Sequence, residues 1–298
     1  MKHVILVNPV SGRHTGLKHG IVVQKLLKKY NIDSSIVVSE CPGHLTKIAK
    51  DLTNSDKYRL YVVGGDGSLN EVVCGVIGTN SELVVIPCGT GNDFLKSVSK
   101  YSSIRKIIKG SINKEATKTD ILKLNDNKYC VNILNSGFDA MVAQNVDKFR
   151  KFNFLSGKMK YNISIFYTLI RNKNYKFKIK IDDKKVYKGS YTLAVIANGK
   201  YYGGGVEPCP NAVVNDGLLD TCIIDSTSIL TKVFLLPSYK KGNHLNFKQA
   251  HIDTAKKIIL VSNHKFPVSI DGEVFYTNKL SAEILKDAIN VVYIDKEA

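Results

Sequence analysis

Residues 60–77 read LYVVGGDGSLNEVVCGVI. A β-branched apolar run, Leu60 to Val63, stops at Gly64-Gly65-Asp66-Gly67, and apolar residues then recur at Leu69, Val72, Val73 and Val76. The period changes from strand-like to helix-like across four residues, three of them glycine. Such a turn lets backbone N–H groups approach an oxyanion at the N-terminus of the following helix, where the macrodipole favours negative charge. Asp66 is out of place among phosphate-cradling glycines unless a cation lies between acid and phosphate. The stretch therefore reads as a nucleotide site that works with Mg²⁺. A plain strand–turn–helix, with glycines for tight geometry and an Asp at a cap, would carry the same letters.

The flanking segments share this alternation. Residues 4–7 (VILV) read as a strand ending at Asn8-Pro9-Val10-Ser11-Gly12, and a helix is expected over about 16–29 with Ile21, Val22 and Leu26 opposite the lysines. Ser35 to Val38 follow as a strand and His44 to Leu52 as a helix; Leu60 to Val63 then lead through GGDG into a helix at 69–78. Leu83 to Ile86 form a fourth strand ahead of Pro87-Cys88-Gly89-Thr90-Gly91-Asn92-Asp93-Phe94 and another helix. Continuous apolar strands alternating with helices imply a parallel sheet covered on both faces. The loops after the first, third and fourth strands leave carboxyl ends, where such sheets bind ligands.

Past residue 120 the pattern changes. Val131 to Leu134, Phe177 to Ile181, Tyr191 to Ala197, Leu218 to Ile224 and Ile258 to Val261 are short and β-branched or alternating, with turns such as Asp182-Asp183 and Asn215-Asp216-Gly217. This predicts an antiparallel, sandwich-like β domain, interrupted by helical spacing at 139–172. The expected division is an α/β domain at 1–122 and a β-rich domain at 123–298, with the last strand (Asn290 to Ile294) free to return to either.

The 298 residues suffice for two cores. The N-terminus reads as a first strand rather than a signal peptide, and no apolar run approaches the roughly 20 residues that span a bilayer. Six cysteines, at 41, 74, 88, 130, 209 and 222, never form a CxxC pair, which points to reduced thiols in a cytoplasmic protein. Of 43 basic residues only five are Arg, so the net charge of +17 is a poor match to nucleic-acid readers, which lean on Arg. No nucleic-acid partner is expected. The excess is concentrated at 146–188, with 13 Lys plus Arg against three Asp, and suits an anionic membrane surface or a phosphorylated substrate.

GGDGSLNEVVCG, PCGTGNDF, GFDA at 137–140, GGG…P…NDGLLD at 203–220 and DGE at 271–273 together resemble the bacterial diacylglycerol kinase-like lipid kinases, relatives of the diacylglycerol and sphingosine kinases. The similarity runs from NPVSG to DGE. GGDG alone is shared with NAD kinases and 6-phosphofructokinases; the other motifs narrow the resemblance to lipid kinases. It implies an active site in a cleft between the two domains, with ATP as phosphoryl donor and Mg²⁺ as cofactor. It also places Asn8, Ser11 and Gly12 in a first phosphate-side loop, Gly65, Asp66, Gly67, Ser68 and Asn70 in the second, and Thr90 with Asn92 in the third. Ser39 and Ser68 stand where the family usually has Thr and keep the hydroxyl. Glu273 matches the family's general base, and Asp216 a position tied to an additional Mg²⁺.

Phosphoryl transfer to an alcohol needs positioning and charge neutralisation, with a carboxylate to take the hydroxyl proton. The catalytic pair is thus expected to be Glu273 and Asp66, with Asp66 and Asp216 as metal ligands. The expected enzyme is a transferase that phosphorylates diacylglycerol to phosphatidic acid, peripheral to the inner face of the membrane, with room for a homodimer. A sphingoid base, ceramide or another lipid alcohol is the alternative acceptor; a nucleotide-responsive lipid-binding protein without turnover is the alternative class. Residues 148–180 set Phe149, Phe152, Phe154, Leu155, Tyr161, Phe166 and Tyr167 among Lys148, Arg150, Lys151, Lys158, Lys160, Arg171 and Lys173. That pattern fits an interfacial segment or a core-packing helix with a basic outer face.

Overall fold

The computed structural model describes residues 1–125, 128–149, 157–171, 173–270 and 273–295. The chain forms two compact units, Met1–Ile121 with Val213–Gly217 and Leu285–Ala298, and Leu122–Ala212 with Leu218–Ile284.

The first unit alternates strand and helix: β1 (Lys2–Val7), α1 (Ser11–His14), α2 (Gly16–Lys28), β2 (Ser35–Val38), α3 (His44–Thr53), β3 (Tyr58–Gly64), α4 (Asp66–Val76), β4 (Glu82–Pro87), α5 (Leu95–Val98), α6 (Ile104–Ser111) and β5 (Thr117–Leu124), which runs into the second unit. Its first four strands pair in parallel in the order β4-β3-β1-β2, while β5 pairs with strands named below. The register sets Val38, Val7, Val63 and Ile86 in one row, so the loops after all four strands leave at one level. The last strand settles here as well: Asn290 and Val291 pair in parallel with Glu82 and Leu83.

Two local expectations need correction. The buried face of α2 is Gly16, Gly20, Val23 and Leu27, whereas Ile21 and Val22 are exposed. Gly20 decides this, because its missing side chain lets the helix close on Val7, whose Cγ2 would lie 2.7 Å from a Cβ there. The helix after β3 begins at Asp66 and not at 69, since Gly65 is extended and accepts the first helical bond from Leu69 N–H at 3.0 Å.

A buried ion pair ties β3 to β4. Arg59 faces Glu82 in the ladder and donates to it through Nε at 2.8 Å, while its other nitrogens reach the carbonyls of Ser111 and Lys114 at 2.8 Å each. Burial pushes the Glu82 carboxyl up, but Lys57 and Arg59 outweigh it and hold the group below its usual value. A depressed carboxylate contributes stability above its unfolded pKa and loses it as pH falls through the folded one. Arg59→Ala strands Glu82 and two carbonyls, and is expected to cost about 3–5 kcal/mol in a denaturant titration at neutral pH. The loss should shrink toward acid pH; a pH-independent loss would assign it to packing.

The second unit holds β6 (Tyr129–Cys130), β7 (Ile133–Gly137), α7 (Phe138–Lys148), α8 (Gly157–Arg171), β8 (Tyr175–Ile181), β9 (Lys185–Ala197), β10 (Leu219–Asp225), α9 (Ile229–Lys240), β11 (Ala250–Ala255), β12 (Lys257–Ile270) and β13 (Glu273–Val291), whose end enters the first unit. The pairings β11-β10-β9-β7-β12-β13 are antiparallel, and β8 pairs with both β12 and β9. In β8 burial alternates strictly: Tyr175, Phe177, Ile179 and Ile181 point into one core and the lysines between them outward. A second core gathers Phe138, Val142, Ile165, Leu169, Val195, Cys222 and Tyr239 between sheet and helices. α7 and α8 account for the helical spacing in the described part of 139–172.

Candidate functional site: three loops on one sheet rim

The three glycine-bearing loops meet at the rim of the first unit's sheet. A Cβ on Gly89 would stand 2.5 Å from Gly65 Cα, and one on Gly12 (φ 61°) 2.6 Å from the Cys88 carbonyl oxygen. Real Cβ atoms do not come so close, so these glycines are what lets the loops interlock. Asn8 Nδ2 donates to Ser68 Oγ at 2.8 Å, joining the first loop to the second. Asn92, at φ 48°, closes the third loop on itself: its Oδ1 accepts from Gly89 N–H at 2.9 Å and its Nδ2 donates to the Gly89 carbonyl at 2.7 Å. Ser39 is buried beyond β2, its N–H bonded to the Val7 carbonyl at 2.9 Å. Gly67 and Thr90 are exposed, and a Cβ on Gly67 meets nothing within 4 Å. Ser11 begins α1, and Asn70 lies one turn into α4.

Asp66 occupies the first turn of α4, and its Oδ1 accepts the N–H of Phe94 from the third loop at 3.2 Å. Burial pushes its carboxyl up and Asp93 adds to the rise, against the pull of the Phe94 and Asp93 N–H groups and Lys96. Asp93 is buried and ion-paired with Lys96. A partly desolvated carboxylate beside a second one, at a helix N-terminus, is an arrangement that a cation would relieve.

The cradle fits a nucleotide phosphate: interlocked glycine loops and a helix N-terminus present backbone N–H groups without side-chain bulk. Asp66 fits one Mg²⁺ ligand, since that ion is commonly held by one or two carboxylates with substrate phosphates and water. Among the described residues no group of three or more His, Cys, Asp or Glu side chains is placed to hold a metal ion. Asp216 is exposed in the 215–217 turn and is grouped with Asp120 and Asp287 instead of with Asp66. Asp120, fully buried, accepts from Gly217 N–H and Asp287 N–H at 2.7 Å each, tying three distant segments of the first unit together. Burial raises its carboxyl, the two N–H groups oppose that, and Asp287 and Asp216 add to it.

Glu273 opens β13 in the second unit, exposed and opposite Ile270 of β12. Its motif partners Asp271 and Gly272 lie outside the described residues. The GFDA acid, Asp139, is buried and accepts from the Tyr239 hydroxyl at 2.6 Å. Burial raises its carboxyl against the pull of Tyr202 and Tyr239. Asp139 is a polar tie inside a core.

A glycine series separates the roles within the cradle. Gly89→Ala, whose new methyl meets the Gly65 backbone, is expected to destabilise by about 1–3 kcal/mol. Gly67→Ala, facing open space, should stay within about 0.5 kcal/mol of the parent in denaturant yet weaken nucleotide binding in calorimetry. Unchanged nucleotide affinity in Gly67→Ala would remove that residue from the cradle.

A parallel-sheet unit with this glycine rim, joined to an antiparallel β unit, defines a two-domain protein of the α/β-plus-β class. Comparison with known proteins matches residues 2–124 to the diacylglycerol kinase catalytic domain and residues 132–293 to the YegS C-terminal NAD kinase beta sandwich-like domain. The chain belongs to the bacterial diacylglycerol kinase-like lipid kinase family, whose chemistry is phosphoryl transfer. "Putative lipid kinase SAS0691" of Staphylococcus aureus (strain MSSA476) and "Putative lipid kinase SaurJH9_0749" of Staphylococcus aureus (strain JH9) are each 30% identical to it over 294 residues, covering 95% of this chain and 95% of theirs. The fold is similar to a "Crystal structure of a putative diacylglycerol kinase from Bacillus anthracis str. Sterne", with a TM-score of 0.80 at 24% identity over 99% of this chain and 97% of that one.

Proposed function

We propose that this protein transfers the terminal phosphoryl group of ATP to the hydroxyl of diacylglycerol, forming phosphatidic acid for phospholipid metabolism. The observation that carries the reading is the interlocked cradle with Asp66 at the start of α4. The loop N–H groups would hold the phosphates, Gly65 and Gly89 letting the loops close on each other and Gly67 leaving the space before them open. Asp66 would hold the nucleotide's Mg²⁺, which when bound offsets phosphate charge; Asp216 would serve a second ion beside Asp120. Glu273 orients the acceptor hydroxyl and takes its proton as the new P–O bond forms.

Access to a lipid is proposed through α8 and α9. Ile165 and Leu169 of α8 are buried, while Phe166 and Ile170 are 65% and 60% exposed. The helix thus has both a core face and an outer apolar face, the latter close in sequence to Lys160, Arg171 and Lys173. Phe152, Phe154, Leu155, Arg150 and Lys151 lie outside the described residues. No described helix is long and apolar enough to cross a membrane. An apolar face edged by cations suits peripheral docking on anionic lipid, each basic residue contributing about 1 kcal/mol near the surface. The test is turnover with ATP and Mg²⁺ on a panel of lipid alcohols in mixed micelles. Diacylglycerol should lead; preference for a sphingoid base or ceramide would replace the acceptor, and no turnover on any would remove the kinase reading.

A further inference from the structure

The outer face of the sheet around β8 is a surface that phosphoryl transfer leaves unused. β8 lies between β9 and β12, and β12 continues the pairing to β13. Two rows of side chains cross these four strands in register. One runs Lys279, Val261, Lys178, Lys188, and the next Ser281, Ile259, Lys180, Val186. Lys176 continues the patch along β8, opposite Ser190. The lysines of β8 point outward because Phe177 and Ile179, at the alternate positions, fill the core behind them. Lys176, Lys178, Lys180, Lys188 and Lys279 are all exposed, and among them Val186 and Val261 are 53% and 38% exposed.

Neither row contains an acid. Lys178 and Lys188 face each other directly, and the lysines of β8 follow at every second residue, about 7 Å apart. Like charges set opposite one another weaken a ladder. These spacings fall inside the Debye length of about 10 Å at 0.1 M salt, so the repulsion persists in solution. The row beyond Ser281 does hold an acid, Glu283, but it faces Lys257 and lies 3.8 Å from both Lys257 and Lys123. Asp182, at the β8–β9 turn, accepts the backbone N–H groups of Lys256 and Lys257. The acids at this end of the face are thus already engaged, and the two lysine rows are left with a concentrated positive charge around an apolar centre.

We propose that this face docks a strongly acidic protein, whose carboxylates meet the lysines and whose apolar side chains cover Val186 and Val261. The layering of the second unit separates the face from the lipid approach through α8 and α9. β7, β9 and β10 turn Leu134, Ile196 and Ile223 toward the core behind β8, and Ile133, Val195 and Cys222 toward the core under the two helices. The lysine face and the helices therefore lie on opposite sides of one stack of layers. A chain resting on lipid through α8 and α9 turns these lysines away from it. A second copy of this chain is a poor occupant, because each carries a net charge of +17. All five cations are Lys, whereas nucleic-acid readers lean on the bidentate Arg. The acidic-protein reading stands without the kinase reading; only the choice against lipid rests on the approach through α8 and α9.

The test titrates the full chain, without ATP or acceptor lipid, against a labelled polyglutamate peptide, an oligothymidylate of equal charge and phosphatidylglycerol vesicles. Anisotropy reads the first two and sedimentation the third. Replacing Lys176, Lys178, Lys180, Lys188 and Lys279 together by Gln should weaken polyglutamate binding about tenfold or more. The same change of charge at Lys25, Lys28, Lys29, Lys47 and Lys50, which are exposed in the first unit, should weaken it less than about threefold. Lys178→Glu sets an acid opposite Lys188, and should raise the melting temperature while weakening polyglutamate about threefold or more. Circular dichroism melts show that each variant folds. Polyglutamate that fails to bind, equal losses in the two fivefold variants, or unchanged affinity in a folded Lys178→Glu would each overturn the proposal. A greater dependence on this face for oligothymidylate or for the vesicles than for polyglutamate would also overturn it, and assign the face to nucleic acid or to lipid.

Discussion

Asp66→Asn is expected to lower kcat by about 10³-fold while raising the melting temperature. Asparagine keeps an oxygen for the Phe94 N–H but removes the charge that a cation would use. The stability effect follows from the carboxyl's raised pKa, with burial the largest cause and Asp93 the next. The native state holds that proton to higher pH than the unfolded chain, so stability declines as pH rises from the usual carboxylate range through the folded value. Asparagine removes the decline, and its advantage should vanish in acid. Calorimetric scans from pH 4 to 8, paired with turnover across a Mg²⁺ titration, check both halves. Retained turnover would end the role of Asp66; a lower melting temperature at neutral pH would end the burial argument. A gain in stability with a loss of activity is the usual mark of strain kept for function.

Glu273→Gln is the second large effect. The side chain is exposed at the start of β13, so the substitution should leave stability within about 0.5 kcal/mol. Loss of a proton acceptor is expected to lower kcat by about 10²-fold or more, with nucleotide affinity almost unchanged. Direct nucleotide titration beside steady-state kinetics reads the two separately. A mutant that loses nucleotide binding in step with turnover would show that Glu273 acts on the donor side.

The sequence showed the parallel half well because strand and helix periods alternate there without ambiguity, and each glycine loop follows an apolar strand. Details failed where one residue overrode the period. Gly20 turned α2 onto Val23 and Leu27, and an extended Gly65 moved the start of α4 to Asp66. α9 was not legible: Ile229–Lys240 is apolar nearly all round and contains Pro237, so it has neither a helical stripe nor an unbroken run. Within the site, Asp66 stood out as an acid among glycines, but Asp120 did not. Its work is to accept N–H groups from residues 97 and 167 positions away, and no local pattern announces such a contact. Asp93 was visible as a letter of GTGND, but its closeness to Asp66 became legible only once the third loop was folded against the second.

Transfer of the terminal phosphoryl group of ATP to a lipid hydroxyl can be followed by isotope. Supplying ATP labelled at either the γ- or the α-phosphate, with diacylglycerol micelles and Mg²⁺, and extracting the lipid into organic solvent tests this most directly. Label is expected in phosphatidic acid from γ-labelled ATP alone, and is expected to be lost in Asp66→Asn. Label released only as inorganic phosphate, or reaching lipid from the α-position, would contradict it.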